Sequence, residues 1–203
     1  MALSFGPNWH SDFWASPFRL RFELRQGGSS INDFTSAYDR ARTLARAALL
    51  SDQLIAVISA HSAPTEGAGA RWRGLTKGTP LGLLEEMGVA SGSALASWNG
   101  YWWPEEAMDD EAELTAQRAI RVSWDQADVL LWNQIALDRG VLPQAPVLSK
   151  LLDLDRGVLV NAYDDRGMDI TALNKCSLMD LYERFDAWLL DYDRERMIEA
   201  FGG

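Results

Sequence analysis

This chain has very little that could serve as a nucleophile or a soft metal ligand. Its 203 residues include one cysteine, Cys176, and two histidines, His10 and His61. A single thiol excludes an internal disulfide framework and fits a reducing compartment, so a cytoplasmic protein is expected. No stretch approaches the ~18 consecutive apolar residues of a membrane helix. Residues 1–7 lack the basic start and apolar run of a signal peptide. There is no Gly-x-Ser-x-Gly elbow, no His-Glu-x-x-His and no phosphate loop. Cys176 has no evident basic partner and reads as a small buried residue. His61 reads as a solvated loop residue, and His10, in Asn8-Trp9-His10, as part of an ordered lead-in paired to an acid. No catalytic residue, metal or cofactor is expected.

Positive charge is also scarce. There are 19 Lys or Arg against 29 Asp or Glu, for a net charge of −10. From residue 105 onward 10 basic residues face 21 acidic ones, so that part carries −11 and the rest about +1. Such a field repels nucleic acid and anionic lipid and steers a cationic partner inward. Neither nucleic acid nor membrane is therefore expected as a partner. The plain alternative is that the charge serves solubility.

What is present predicts one α/β domain over residues 1–203, with a variable middle at about 61–143. The expected architecture is a mixed sheet with an antiparallel C-terminal meander, flanked by helices. Residues 18–25 alternate apolar and charged side chains, as a half-buried strand does, with Phe18, Leu20, Phe22 and Leu24 inward. Ser30 or Asn32 can cap a helix over about 33–50, and residues 54–60 form a short apolar run that suits a strand buried on both faces. A weaker strand is expected at 71–75, a short helix at 80–87 and a hairpin turn at Asn99-Gly100. A strand at 118–124 leads to a helix capped by Asp125. Strands at 146–154, 157–163 and 168–172 then precede an amphipathic helix over 177–190.

Two charged clusters stand out. One is Tyr163-Asp164-Asp165-Arg166-Gly167-Met168-Asp169-Ile170, and the other is Asp191-Tyr192-Asp193-Arg194-Glu195-Arg196. Asp-Arg-Gly also occurs at 138–140 and 155–157 and by itself signals only a turn. We expect the two clusters to brace the fold by pairing Asp191 or Asp193 with Arg166 or Arg194, with Asp193 at the centre. A hard cation held by Asp164, Asp165, Asp169, Asp191 and Asp193 is the sharper alternative. The interleaved arginines oppose it, and no Asp-x-Asp-x-Asp-Gly loop is present.

Nine tryptophans are many for this length. Trp98, Tyr101, Trp102 and Trp103 directly precede six acids: Glu105, Glu106, Asp109, Asp110, Glu111 and Glu113. Trp98 is expected in the core. Trp102 and Trp103, with those six acids, form the candidate contact surface, because aromatic anchors inside a polar rim mark interfaces.

The segments at residues 5–10 (Phe-Gly-Pro-Asn-Trp-His), 20–24 (Leu-Arg-Phe-Glu-Leu), 163–170 and 188–196 together carry a resemblance. The chain resembles an uncharacterised bacterial family known only as a domain of unknown function. The resemblance runs from one end to the other and brings no catalytic residues with it. By type, a small, acidic, aromatic-rich α/β protein is similar to immunity proteins, which sit beside secreted bacterial toxins and block them. The expectation is thus a non-enzymatic binding protein that neutralises a basic toxin encoded nearby. The alternatives are a metal-dependent hydrolase using Asp164, Asp165, Asp169 and Asp193, and a ligand-sensing or adaptor domain marked by a deep apolar cavity.

Overall fold

The alternation at residues 18–25 becomes strand β1 (Arg19–Glu23) in the computed structural model, which describes residues 5–60, 79–90, 93–102 and 114–202. Leu20, Phe22 and the adjoining Leu24 are fully buried on one side, which puts Arg19, Arg21 and Glu23 on the other. Helix α1 (Ser11–Ala15) precedes β1. Helix α2 (Ser30–Ala48) follows and is capped by Ser29, whose hydroxyl accepts from the Asn32 backbone N–H, rather than by Ser30 or Asn32. Its inner face is Phe34, Ala37, Ala41, Leu44, Ala45 and Ala48. Alanine at four of those positions lets the helix lie close to the sheet.

Strand β2 (Leu54–Ala60) is buried on both faces along nearly all its length. Helix α3 (Pro80–Glu86) and strands β3 (Ala96–Gly100) and β4 (Thr115–Val122) come next. Asn99-Gly100 is not a turn: the two residues lie inside β3, opposite Ala116 and Thr115 of β4. The missing side chain of Gly100 leaves room for the backbone of Pro7, which a Cβ there would approach to 3.4 Å. Helix α4 (Trp124–Arg139) starts on a reciprocal capping box of Ser123 and Gln126, so Asp125 is in its first turn and not its cap. Gly140, at φ 65°, ends it in the left-handed region. The buried amides of α4 fix it to the sheet. Asn133 donates to the Val147 carbonyl at 2.8 Å, and Gln134 donates to the Ala162 carbonyl at 3.0 Å.

Strands β5 (Val147–Asp153), β6 (Val158–Ala162) and β7 (Gly167–Ala172) form the expected C-terminal meander. The seven strands lie in the order β1-β7-β6-β5-β2-β4-β3. All of their pairings are antiparallel, where a mixed sheet was expected. β1 and β2 point the same way, as a strand–helix–strand start suggests, but three later strands come between them. The predicted last helix is broken into a 3-10 turn (Lys175–Ser177), α5 (Met179–Arg184), two further 3-10 turns (Asp186–Trp188 and Asp191–Asp193) and α6 (Arg194–Phe201). The cause is tertiary. Leu189 leaves the helical conformation to bridge Phe22, and the Leu190 N–H donates to the Arg21 carbonyl at 2.8 Å. The outer edge of β1 is thereby partly covered.

One face of the sheet packs against α2, α4, α5 and α6 in the main core. The other carries a smaller cluster of Trp9, Phe13, Ile55, Val57, Trp102, Ala119, Leu152 and Leu159, with Phe5 and Trp98 beside it. Among the described residues no helix is long and apolar enough to cross a membrane. The expected strand at 71–75 and His61 lie outside the described residues.

Candidate functional site

The β6–β7 turn takes its shape from Asp164. One carboxylate oxygen accepts from the Arg166 and Gly167 backbone N–H groups at 2.7 and 3.1 Å, and the other pairs with the Arg166 guanidinium. Gly167 is needed for space, since any Cβ there would collide with the Tyr163 ring. Asp165, fully buried, accepts both arms of Arg25 at 2.8 and 2.6 Å and a further bond from Arg139. Arg139 also reaches Asp33 of α2 at 3.4 Å. Three segments of the chain meet on this carboxylate, and α2 joins them through Arg139. Burial alone would raise the Asp165 carboxyl, but the Arg25 and Arg139 guanidinium groups pull it below the ordinary range.

The second cluster is placed differently from expectation. Asp193 pairs neither with Arg166 nor with Arg194; it accepts from Arg21 of β1 at 2.5 Å. Arg21 also donates to its cross-strand partner Asp169 at 2.9 Å, and so links the two motifs. Burial lowers the Arg21 guanidinium, yet Asp169 and Asp193 outweigh it and hold the group above its ordinary value. For Asp169 burial wins, and the carboxyl is raised despite Arg21. Of the expected pairs, Asp191 with Arg194 does form, at 3.2 Å, but the Asp191 side chain is 95% exposed. Tyr192 is 89% exposed and braces nothing.

Trp102, expected at the exposed contact surface, is buried. It is 3% exposed, its carbonyl accepts from Lys150 Nζ at 2.7 Å, and Nζ lies 4.2 Å from its ring centre. A compact, strongly hydrated ammonium buried in a strand is tolerable only with such partners. Trp103, Glu105, Glu106, Asp109, Asp110, Glu111 and Glu113 lie outside the described residues. Cys176, expected to be buried, is exposed.

A further polar group was missed from sequence. On the face away from the large helices, Arg21, Asp169 and Asn161 occupy one cross-strand row over β1, β7 and β6. Lys150 of β5 continues it, one position past the Leu151–Val160 pair. His10 packs over this row at 7% exposed, and among the described residues neither ring nitrogen has a hydrogen-bond partner, so the expected acid is not found there. Burial, and then Lys150, pull its pKa down to about 4, which leaves the imidazole neutral. The signal was an inward-facing Lys, Asn or Asp in each of three apolar strands. Its meaning needs the strand order.

Among the described residues no three His, Cys, Asp or Glu side chains converge as a cation would require. Asp164, Asp165, Asp169 and Asp193 each meet a guanidinium instead. A protein-family model described as a domain of unknown function (DUF3885) matches residues 2–193. No curated protein and no solved structure matches the chain.

Proposed function

This chain belongs to the DUF3885 family of domains of unknown function; membership assigns no activity, and from the chain's own residues we propose a non-enzymatic protein-binding domain of the immunity type. In this reading it acts in the cytoplasm, where it binds a basic toxin encoded beside it and blocks that toxin. The observation that carries the reading is the segregation of charge, with 21 acidic residues against 10 basic ones from residue 105 onward. The motif carboxylates are neutralised internally by Arg21, Arg25, Arg139 and Arg166. Among the described residues, part of the remaining excess is turned outward, with Arg184 and Arg194 pairing with some of it. Asp180, Glu183, Asp186, Asp191, Glu195 and Glu199 are all exposed on the C-terminal segment. Tyr192 and Ile198, 89% and 50% exposed, stand among them. An apolar anchor inside an acidic rim suits a partner rich in Lys and Arg, and the field would speed its approach. The run from Glu105 to Glu113, with Trp103, lies outside the described residues and remains a candidate contact segment from its sequence alone.

A metal-dependent hydrolase has less behind it, because a dication would have to displace an arginine from each of the four carboxylates. Ligand sensing is favoured by one observation, the groove between α2 and α5, considered below. The binding reading is tested by co-expression with the neighbouring basic protein. It expects a complex, protection of the cell, and affinity that falls steeply as salt is raised. Tyr192→Ala should weaken the complex by ~1 kcal/mol or more. No complex and no protection would remove the reading.

A further inference from the structure

A groove of about 630 Å³ lies between the C-terminal end of α2, the β5–β6 turn and α5. Each of these segments gives it an arginine: Arg46 from α2, Arg156 from the turn and Arg184 from α5. One carboxylate, Asp180, lines it against them. In a chain of net charge −10 that ratio is inverted. Ala47, Leu50, Leu181 and Phe185 supply an apolar side, and Leu50 stands 60% exposed. The size is that of a small-molecule site, and the mixture of apolar wall and guanidinium groups suits an anion with an apolar body.

How each arginine is held decides what it can offer. Arg46 meets Asp128 at 2.7 Å, but the same carboxylate oxygen accepts from Arg42 at 2.9 Å, so two cations share one anion. Arg184 pairs with Asp180 one helical turn away at 2.7 Å, and both side chains are more than half exposed. Such a pair contributes little and yields to a competing anion. Arg156 is held by a neutral group. Its Nη2 donates to the Ser177 carbonyl at 2.9 Å, and its Nε is buried with no hydrogen-bond partner. Asp153, at the start of the same turn, is occupied by the backbone N–H groups of Leu50, Ser51 and Arg156. A guanidinium partly withdrawn from water is ordinarily matched by an anion, and here the groove is where one can enter. A single carboxylate fills one guanidinium fork. Guanidinium groups from separate segments suit a head with more oxygens or a second charge.

We propose that this groove binds a small organic dianion, a phosphate ester or a dicarboxylate, with its head on Arg156 and Arg184 and its apolar body on Leu50 and Phe185. The site is independent of the acidic surface proposed for protein binding. Phenyl phosphate and phthalate are titrated calorimetrically into the full chain as sodium salts at matched ionic strength. Inorganic phosphate and benzyl alcohol serve as the head alone and the body alone. Saturable binding of phenyl phosphate, tighter than that of either fragment, is the expected result. Phenyl phosphate alone places the ligand among phosphate esters; phthalate binding as well places it among organic dianions at large. Cys176 reports the location, because it is the chain's one cysteine, is exposed and lines the groove. Saturating ligand should slow its alkylation by iodoacetamide. Arg156→Met should weaken binding ~10-fold or more, as loss of a hydrogen bond to a charged group does. Should that variant fail to fold, Arg184→Glu alters only an exposed helix surface and, by reversing a charge at the rim, should weaken binding as clearly. Arg121→Gln, exposed on β4, should leave it unchanged. Heats that never saturate at millimolar ligand, equal binding of inorganic phosphate, or affinity that Arg184→Glu leaves unchanged would overturn the proposal. So would an equal loss in Arg121→Gln, or saturation that leaves Cys176 alkylation unslowed.

Discussion

Replacing Asp165 by Asn probes the brace at its most demanding point. The side chain keeps its shape, but Arg25 and Arg139 lose their shared anion while Asp138 and Asp33 remain at their flanks. Removing one side of a buried ion pair costs ~3–5 kcal/mol. Arg25 and Arg139 are 34% and 24% exposed, so water restores part of their solvation. The expected loss is therefore ~2–4 kcal/mol. For a chain of this length, that lowers Tm by roughly 5–15 °C. Urea unfolding at neutral pH measures it, with Asp186→Asn as the control, because that carboxylate is 60% exposed and its loss should stay within ~0.5 kcal/mol. The pH dependence follows from the depressed Asp165 carboxyl. A group whose pKa falls on folding stabilises fully above its unfolded value, and that stability is lost as pH drops through the folded value. The gap between wild type and Asp165→Asn should then be flat above the ordinary value of 3.8 and close on acidification below it. Equal stabilities at pH 7 would refute the argument that the motif holds the fold.

Four further outcomes follow from the same geometry. Asp169→Asn should cost clearly less at pH 7 than Asp165→Asn, because Arg21 keeps Asp193 as a partner and burial opposes the Asp169 charge. Burial raises this carboxyl, so its ionisation opposes folding once pH passes the raised value, and urea unfolding at pH 4 and 7 separates the two cases. His10 should make the wild type lose up to ~2–3 kcal/mol as pH falls from 6.5 towards 4, because the unfolded chain takes up the proton first; His10→Asn should flatten that limb. Gly167→Ala should cost ~1–3 kcal/mol through collision with the Tyr163 ring, and adding Tyr163→Ala should recover part of the loss in a double-mutant cycle. Trp102→Ala should cost ~3–5 kcal/mol in thermal unfolding, as a buried tryptophan does. Unchanged stability with lost partner binding would return Trp102 to the contact surface.

Local chemistry determined a good part of this protein. The alternation at residues 18–25 specified β1, because a period of two fits only a strand with one buried face. The apolar run at 54–60 specified a strand covered on both sides. The turn residues between 155 and 167 specified the meander, and membership in a family of unknown function was legible in the sequence. Tertiary structure decided the rest. Asn99-Gly100 became strand because β4 and the Pro7 backbone claimed it, and the last helix broke because Leu189 and Leu190 were drawn to the edge of β1. Arg21, one charged residue in an alternating strand, gained its role only when β7 delivered Asp169 beside it and the C-terminal segment delivered Asp193. The row from Arg21 to Lys150 was invisible for the same reason. Pairing partners in a sheet are set by strand order, and no spacing along one chain encodes which strands will be neighbours.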